Sequence, residues 1–381
     1  MEVPTPVPRD AARVERLVIV DFRCFESVDL ELPAGLTVFT GANGEGKTSL
    51  LEAVGWASGA RSFRGVADRA LVRAGCETAV LRVEVAEGER RQTLEAEIHA
   101  TGRNRVLLNR NPLARSRDLT GLFRTTVFAP DDLQLVKGGP AMRLEYLDDL
   151  LVSLAARYDA ARSDYERVLR QRSSLLRAGV RSDEDRMTLD VFDEQLVQAG
   201  SELVRGRLKL LMQVVGPIES AYARLSGREE TVRTAYEADW APMPLESAGP
   251  DAVADLLREA LRAIRRQEIE RGVTLAGPHR DDWCLMISGL DARTQASQGE
   301  QRTLALALRL AGHEVCTRVT GAGPVLLLDD VFSELDHKRA DALVANLPSG
   351  QTLLTTASDV PRGVAPERRL RVAGGRVEEM G

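Results

Sequence analysis

A glycine-rich segment near residue 45 carries the residue types that bind phosphate. Its eight residues are, in order, Gly41, Ala42, Asn43, Gly44, Glu45, Gly46, Lys47 and Thr48. They fit the pattern G-x-x-x-x-G-K-[ST] and stand between an apolar run ending at Phe39 and a helical pattern starting at Thr48. Glycines let backbone N–H groups wrap around phosphate oxygens, and the helix start adds partial positive charge. The segment predicts a P-loop; a glycine-rich turn with a chance lysine is the alternative.

The side chains of this segment predict both a nucleotide and a metal ion. We expect Lys47 to reach the β- and γ-phosphates of ATP and the Thr48 hydroxyl to bind Mg²⁺. The chain has few lysines, namely Lys47, Lys137, Lys209 and Lys338, so a lysine at this position is a specific signal. The predicted ATP contacts run from Gly41 through Ser49.

A second motif, at residues 325–330, is an apolar strand that ends in two adjacent carboxylates, Asp329 and Asp330. Burying such carboxylates is costly unless a cation awaits them. We therefore predict a Walker B strand in which Asp329 coordinates Mg²⁺, directly or through water, and Asp330 polarises the attacking water as general base. Many ATPases of this type have Glu at the second position, and the shorter Asp suggests slow turnover. A strand end with solvated carboxylates is the alternative.

A third motif opens a helical pattern between these two. It consists of Ser297, Gln298, Gly299 and Glu300, followed by Gln301 and Arg302. It resembles the signature of ABC ATPases, whose serine and helix start bind the γ-phosphate held by the opposite subunit. A small-residue helix start would look similar, but the order after a P-loop and before Walker B favours the signature. Asp336 then fits the D-loop, and the combination implies an ATP-driven homodimer.

Further stretches resemble those of one family, bacterial RecF. They are residues 22–25, 128–133, 136–140, 277–282, 297–302 and 326–336. The resemblance spans residues 14 to 377, and it adds Arg23 to the expected ATP contacts. It implies slow, DNA-dependent ATP hydrolysis with Mg²⁺ in recombinational repair and replication-fork maintenance, within the response to DNA damage (SOS response). It also implies ATP-dependent binding of duplex DNA near single-strand gaps, cooperation with RecR, indirect links to RecO, and help in loading RecA.

Several positions stay open at this point. Gln134 is a loose candidate for the Mg²⁺-sensing Q-loop glutamine, and it could equally be a surface residue. No histidine stands in the switch position, where Ser358 is nearest. His279 could be catalytic, although a lone loop histidine is more often structural. Arg61 and Arg64 could reach a phosphate of ATP or DNA, or could be solvated surface arginines.

DNA contacts are predicted where arginines cluster, because binding to DNA requires neutralisation of phosphates. The cluster lies around a β-hairpin and its following loop and comprises Arg103, Arg105, Arg110, Arg115 and Arg117. A second set, Arg162, Arg167, Arg170 and Arg172, lies on a helix with interleaved acidic residues. For that second set a solvated, salt-bridged helix face is the better interpretation.

The periodicity of apolar residues indicates the elements that position these motifs. Residues 14–40 and 79–110 alternate as strands, the latter as an antiparallel sheet. Residues 144–175 repeat every 3.5 residues and predict one long coiled-coil helix, roughly 50 Å long at ~1.5 Å per residue. Residues 189–203 predict its antiparallel partner, and residues 253–271 a third helix. Helices at 303–310 and 337–347 and strands at 324–330 and 352–356 complete the pattern.

The predicted fold class is α/β: an ABC/SMC-type P-loop ATPase head, split in sequence by an inserted helical domain with an antiparallel coiled-coil hairpin. Residues 1–13 are predicted to be a disordered lead-in, 14–137 the first part of the head, 138–271 the helical arm, and 272–381 the second part of the head.

Composition excludes some classes of protein. The four cysteines are scattered without a CxxC pair, which argues against a disulfide framework and a structural zinc site. No apolar run is long enough for a membrane helix, and the first residues contain no signal-peptide pattern. A cytoplasmic, nucleoid-associated protein is expected. The net charge of −6 argues mildly against DNA binding, because typical DNA-binding proteins are basic, but it leaves room for a local basic surface, particularly one assembled by dimerisation.

Three other functions fit the sequence less well. An SMC-like chromosome-organising or DNA-end-processing ATPase would have a much longer coiled coil with a hinge or a cysteine hook. An ABC transporter subunit would not need the arm or the stretch at residues 277–282. A DNA-clamping protein with a decayed ATPase would not keep Lys47, Ser297, Asp329 and Asp330 together.

Overall fold

The computed structural model describes residues 12–113, 119, 122–249, 252–357 and 365–380. Most of the predicted lead-in, residues 1–11, lies outside this part of the chain. The described chain packs as two compact units. The first comprises the residues up to Asp132, Arg224–Gly227 and Leu306–Gly381, and the second comprises Leu133–Ala223 and Arg228–Ala305.

Fifteen strands are described in this part of the chain. They are β1 (Arg13–Phe22), β2 (Phe25–Glu31), β3 (Leu36–Thr40), β4 (Thr78–Glu87), β5 (Arg90–His99), β6 (Arg105–Leu108), β7 (Asn111–Pro112), β8 (Thr125–Phe128), β9 (Val232–Glu237), β10 (Asp282–Ile287), β11 (Leu290–Asp291), β12 (Val325–Asp329), β13 (Thr352–Thr356), β14 (Arg368–Ala373) and β15 (Arg376–Glu379).

Eight α-helices are described. They are α1 (Lys47–Gly59), α2 (Gln134–Lys137), α3 (Pro140–Leu154), α4 (Arg157–Ala178), α5 (Asp183–Ser226), α6 (Ala252–Arg271), α7 (Gln298–Thr320) and α8 (His337–Ala345). None of the helices in the described residues is long and apolar enough to span a bilayer.

The first unit contains two six-stranded sheets. In one, β2-β1-β4-β5-β6-β7, all pairings are antiparallel, which confirms the antiparallel sheet predicted around residues 79–110. Alternate residues of β4, including Leu81 and Val83, are buried because side chains on a strand point to opposite faces in turn. This sheet and α1 share one hydrophobic core with residues such as Leu327 of β12.

The other sheet has the order β15-β14-β3-β13-β12-β8. β3, β13, β12 and β8 run parallel, and every residue of β12 and β13 is buried. Parallel strands covered on both faces read as continuous apolar runs, which is why β12 was predicted from sequence. Their carboxyl ends meet at one edge, where such sheets place ligands. The predicted ABC/SMC-type α/β head therefore has the expected parallel core.

The second unit is built from α3 to α6 and a three-stranded sheet, β11-β10-β9. Its helical core draws on three helices rather than two. The cluster comprises Tyr165 and Val168 of α4, Leu196, Val197 and Leu203 of α5, Leu257 and Leu261 of α6, and Ala276. α6 ends at the predicted residue, 271. The arm is thus a three-helix assembly in which the predicted hairpin of α4 and α5 is covered by α6.

The single long helix predicted over residues 144–175 is wrong. The chain leaves the helical conformation at Ala155 (φ −155°, ψ 124°), where α3 ends, and α4 begins at Arg157. The heptad pattern continues through this break, since both helices bury apolar residues at that spacing, among them Leu147 and Leu151 of α3 and Tyr158 and Tyr165 of α4. The partner helix α5 is much longer than predicted, with 44 residues and an internal proline, Pro217. The helix predicted at 303–310 likewise extends over Gln298–Thr320.

The compact units do not follow the predicted domain boundaries. Residues 272–305 pack with the helices in the second unit, whereas the sequence pattern assigned them to the head. The reason is the sheet β9-β10-β11, whose first strand comes before α6 and whose other two strands follow it. The domain division given by the sequence stays a proposal.

Candidate nucleotide-binding site

The P-loop connects β3 to α1 in the first unit. Gly46 is the residue before α1 and has a left-handed backbone (φ 101°). A Cβ atom there would collide with Cys24 Sγ and would lie 2.8 Å from Phe25 Cζ. Only glycine satisfies both the backbone and the space at this point. The predicted strand–loop–helix setting of the segment is present.

Lys47 lies at the first position of α1 and is almost completely buried. Its Nζ donates to the carbonyl oxygens of Gly41 and Ala42, each at 2.8 Å. Both partners are neutral. The positive charge of Lys47 is therefore enclosed by the loop, and no carboxylate of the described residues forms an ion pair with it. A phosphate would supply the missing negative charge.

The Thr48 hydroxyl, one residue further, donates to Asp329 Oδ1 at 2.8 Å. Asp329 is the last residue of β12 and is 6% exposed. Burial raises the pKa of its carboxyl above the usual value, while hydrogen bonds from Thr355 and Thr48 and the charge of Arg64 act in the opposite direction. P-loop and Walker B residues, 281 positions apart, are therefore in direct contact.

Asp330 follows β12 in the left-handed conformation (φ 48°, ψ 30°). A non-glycine residue seldom adopts this conformation, and aspartate is among those that tolerate it. Its Oδ1 is buried without a hydrogen-bond partner in the described chain. A buried, unsatisfied carboxylate oxygen is costly, and it occurs where a ligand or water is to be bound.

These groups fit Mg²⁺ and ATP. The described residues contain no cluster of three His, Cys, Asp or Glu side chains that could hold a metal ion by themselves. One carboxylate and one hydroxyl, Asp329 and Thr48, are instead typical of Mg²⁺, which keeps several waters and takes its other ligands from substrate phosphates. The unpartnered Asp330 oxygen beside them leaves an acceptor for a hydrogen bond from a water or a ligand.

Three other predicted ATP contacts have structural partners. Arg23 lies in the β1–β2 turn with φ 54° and donates two hydrogen bonds, at 2.8 and 2.7 Å, to the buried carboxylate of Glu52 on α1. Glu45 accepts a hydrogen bond from the backbone N–H of Gly374 at 2.6 Å. Ser49 is buried in the first turn of α1, with its N–H bonded to the Gly46 carbonyl. Arg23 and Glu45 thus brace the loop from two sides.

Arg61 and Arg64, which follow α1, were predicted either to contact a phosphate or to be solvated. Arg64 is exposed. Its charge lowers the pKa of Asp329, although by less than burial raises that pKa. Arg64 therefore lies within electrostatic range of the Walker B carboxylate. Arg61 is also exposed. A contact of Arg64 or Arg61 with a phosphate stays a prediction.

The signature segment belongs to the second unit and forms a reciprocal cap at the start of α7. Ser297 Oγ accepts from the Glu300 N–H at 3.3 Å, and a Glu300 carboxylate oxygen accepts from the Ser297 N–H at 2.7 Å. This is a capping box, which satisfies two backbone donors that a helix start leaves free. Gln298 is exposed and Gly299 half-buried, so the helix start is accessible.

The remaining predicted positions are occupied as follows. Asp336 caps α8 by accepting from the Arg339 N–H at 2.9 Å. Gln134 is exposed at the first residue of α2, in the second unit. Arg103, Arg105 and Arg110 are exposed, with Arg105 3.6 Å from a Glu97 oxygen. Arg115, Arg117 and Ser358 lie outside the described residues.

The stretch at residues 277–282 is a structural hub of the second unit. Asp281 is buried and accepts from the Tyr236 hydroxyl at 2.5 Å and from Trp240 Nε1 at 2.7 Å. Burial raises the pKa of Asp281 to about 6. His279 forms a 2.6 Å hydrogen bond with the Tyr165 hydroxyl, and burial lowers its pKa to about 4. A neutral, hydrogen-bonded His279 fits the structural interpretation better than the catalytic one.

One residue of the site was missed from the sequence. Thr355, on β13, donates to Asp329 Oδ1 at 2.7 Å and accepts from the Asp330 N–H at 3.0 Å. The available signal was a hydroxyl residue near the carboxyl end of a buried strand, where apolar residues would be expected. Strand order, which places β13 between β3 and β12, could not be read from the sequence.

Comparisons with known proteins agree with this geometry. Residues 13–357 match the family model described as the RecF/RecN/SMC N terminal domain. The chain is 42% identical to the DNA replication and repair protein RecF of Streptomyces avermitilis, over 96% of this chain and all of that protein. It is 44% identical to the RecF protein of Frankia alni, over 94% of this chain and 97% of the relative.

Among solved structures, the recombination mediator protein RecF-ATP of the RecFOR pathway superposes with a TM-score of 0.90 at 28% identity, covering 98% of both chains. An Smc head domain of Pyrococcus furiosus has a TM-score of 0.57 at 15% identity, which shows a shared fold alone. The RecF interpretation is thus supported over the SMC-like alternative. The chain belongs to the RecF family of DNA replication and repair proteins.

Proposed function

We propose that the chain is an ATP-driven DNA-binding protein of recombinational repair, in which two heads join around ATP and separate after hydrolysis. The observation that carries the proposal is the contact of Thr48 with Asp329, beside the uncompensated Lys47 and the unpartnered Asp330 oxygen. Relatives that share 42–44% of their residues are named for DNA replication and repair, and a similar solved structure is a RecF–ATP complex.

In the proposed mechanism Lys47 releases the Gly41 and Ala42 carbonyls and donates to phosphate oxygens, which compensates its charge. Thr48 and Asp329 would hold Mg²⁺, and the ion would supply positive charge to the phosphates. Asp330 orients and polarises the attacking water as general base. The side chain of Asp is shorter than that of Glu, so a slow reaction is expected.

The signature is proposed to act on the opposite subunit. Ser297 Oγ uses a lone pair to accept from the Glu300 N–H, which leaves its proton available to a phosphate oxygen. The exposed start of α7 adds its partial positive charge. Gln298 and Gly299 would line the same contact, Asp336 would lie near the shared interface, and Gln134 would sense Mg²⁺.

DNA is proposed to contact a local basic surface, because the net charge of the chain is −6. Arg103 and Arg110 are exposed, and no described carboxylate pairs with either. Arg115 belongs to the same proposed set. The cellular role, near single-strand gaps and with RecR, RecO and RecA, follows from the family. A cytoplasmic, nucleoid-associated location is part of the proposal.

The experiment that tests the proposal is duplex DNA binding combined with size analysis, with and without ATP and Mg²⁺. The Asp330→Asn variant, which removes the general base, is used to slow hydrolysis. We expect tight DNA binding by a dimer only when ATP and Mg²⁺ are present, and a longer-lived dimer for Asp330→Asn than for the wild type. A dimer that ignores DNA would keep the ATPase but reject the DNA-binding function.

A second variant tests the role of the signature. Ser297→Arg places a bulky cation where the opposite phosphate must enter, so it should bind ATP normally and fail to dimerise. Normal dimerisation of this variant with ATP would reject the head-to-head mechanism. Equal dimer lifetimes for the wild type and Asp330→Asn would remove Asp330 from its proposed role.

A further inference from the structure

Thr355 lies at the centre of the parallel sheet, between the two strands that carry the nucleotide motifs. β13 pairs with β3, which leads into the P-loop, and with β12, which ends in Asp329. In register, Thr355 is opposite Phe39 on one side and Asp329 on the other. Its side chain is completely buried. A threonine hydroxyl in such a place must find hydrogen-bond partners inside the protein.

The partners of this hydroxyl are the two Walker B residues. Thr355 Oγ1 donates to Asp329 Oδ1 at 2.7 Å. The same oxygen accepts from the backbone N–H of Asp330 at 3.0 Å, and that N–H also lies 3.1 Å from the Thr355 carbonyl oxygen. One hydroxyl therefore orients the carboxylate of the first aspartate and anchors the backbone of the second.

Both of these residues need support. Asp330 adopts the left-handed conformation, which a non-glycine residue keeps only when its surroundings enforce it. The Asp329 oxygen is also bonded to Thr48, but the Thr48 hydroxyl has a proposed second partner in Mg²⁺. Thr355 belongs to β13 rather than to the P-loop, so its bond to Asp329 does not depend on which partner the Thr48 hydroxyl takes.

We propose that Thr355 is a positioning residue for ATP hydrolysis, whose hydroxyl holds the metal-binding and the general-base aspartates in their working orientations. The inference rests on the proposed ATPase function. It differs from a merely structural role because it predicts effects on Mg²⁺ dependence and on turnover that exceed any effect on folding or on ATP binding itself.

The chain offers a matched control. Thr37 of β3 lies in the same sheet and is also completely buried, but its hydroxyl has no hydrogen-bond partner in the described chain. Thr355→Val and Thr37→Val therefore remove the same atom from the same environment. Only the first breaks hydrogen bonds to the Walker B residues. Thr355→Ser restores the hydroxyl and loses only a methyl group.

The test measures kcat and KM for ATP, the affinity for a fluorescent ATP analogue with and without Mg²⁺, and the thermal unfolding midpoint. For Thr355→Val we expect kcat to fall about 10-fold or more, with KM within about 3-fold of wild type, because a hydrogen bond to a charged group is lost. The gain in analogue affinity on adding Mg²⁺ should fall by a similar factor. Thr355→Ser should restore both quantities to within about 3-fold, and Thr37→Val should match the wild type.

Other outcomes would overturn the proposal. The Thr355 hydroxyl has no positioning role if Thr355→Val keeps the wild-type kcat and Mg²⁺ response. The same conclusion follows if Thr37→Val lowers kcat and the Mg²⁺ response as much as Thr355→Val does. If Thr355→Ser fails to recover activity although it is folded, packing of the methyl group is the cause. Should Thr355→Val not fold, Thr355→Ala takes its place in the same comparison. Failure of the wild type itself to bind ATP with Mg²⁺ would instead reject the proposed function.

Discussion

Buried charge is handled in two different ways in the two compact units. In the first unit Lys47 and Asp329 are nearly inaccessible, yet their close partners are neutral: two carbonyl oxygens for Lys47, two hydroxyls for Asp329. Neither forms an ion pair with any described residue. Neutral hydrogen bonds orient these groups without cancelling their charges.

In the second unit the buried arginines are paired with carboxylates, although one buried carboxylate, Asp281, has the neutral partners Tyr236 and Trp240. Arg207 donates to both oxygens of Asp148 at 2.7 and 2.8 Å and also to the Pro278 carbonyl at 2.8 Å. Arg172 is completely buried and bonds Asp193 and Glu268, which brings α4, α5 and α6 together. These guanidinium groups have complementary charges and satisfied donors. They are structural, because no site is left for a ligand.

The type of partner that a buried charge has indicates whether the charge binds a ligand or stabilises the fold. A charge held by neutral groups retains an attraction for a ligand of opposite sign, and the cost of burying it is recovered on binding. A buried charge that is paired with an opposite charge is already neutralised. Removing one partner leaves the other charge buried and uncompensated in a medium of low dielectric constant. The first unit also contains pairs of the second kind: Arg23 with Glu52, where the P-loop helix is braced, and Arg309 with Asp132.

The largest expected effect is on the stability of the second unit. Arg207→Met should lower the free energy of unfolding by about 3–5 kcal/mol, because the Asp148 carboxylate stays buried without its partner. Urea unfolding followed by tryptophan fluorescence measures this, since Trp240 and Trp283 lie in the second unit. Adding Asp148→Leu should recover part of the loss. If Arg207→Met lowered the free energy of unfolding by less than about 1 kcal/mol, the proposed difference between the two units would be wrong.

The matched substitution in the first unit should act on the ligand instead. Lys47→Met should weaken ATP binding roughly 100-fold, because a desolvated charge pair with phosphate is lost. The free energy of unfolding should change by no more than about 1 kcal/mol, since only two neutral hydrogen bonds disappear. Equilibrium binding of a fluorescent ATP analogue and urea unfolding of the same sample measure the two quantities. Destabilisation as large as that of Arg207→Met would contradict the proposed distinction.

A smaller effect should come from a buried group that stays uncharged. His313 on α7 is buried, and burial lowers its pKa to about 4. Because the unfolded imidazole takes up a proton near pH 6.5 and the folded one does not, stability should decrease as pH falls from about 6.5 to about 4, by roughly 2 kcal/mol. His313→Gln should flatten this part of the stability curve. Parallel curves for both proteins would show that His313 does not titrate in this way.

Local motifs made most of the nucleotide site predictable. Each of the two motifs is a continuous stretch of sequence. The spacing of glycines indicates the P-loop, and an unbroken apolar run indicates the Walker B strand. Gly46 is required by its backbone and by the approach of Cys24, so its identity carries structural information. Asp329 is a candidate metal ligand because two carboxylates at the end of an apolar strand are costly to bury without a cation.

Features that depend on distant pairing could not be predicted in the same way. The break at Ala155 has neither proline nor glycine to mark it, and the apolar repeat passes through it without change. β9 and β10 pair with each other although α6 lies between them in sequence. No short turn joins these two strands, so the sequence did not indicate the sheet β11-β10-β9. Thr355 acquires its partners only through strand order. Each of these follows from tertiary packing rather than from local preference.

The order of strands in the parallel sheet has a consequence for synthesis on the ribosome. Among the described residues, β3 pairs with β13 and β14, and β8 pairs with β12; all three partner strands follow the helical region in sequence. The antiparallel sheet around β1, β4 and β5 can form early, but the strands that flank the P-loop must wait with unpaired edges while the helices emerge. Until β12 and β13 have been translated, β8 lacks its partner β12 and β3 lacks its partner β13, which leaves unpaired edges open to aggregation. Asp329 and Thr355 join the candidate nucleotide site only at that stage.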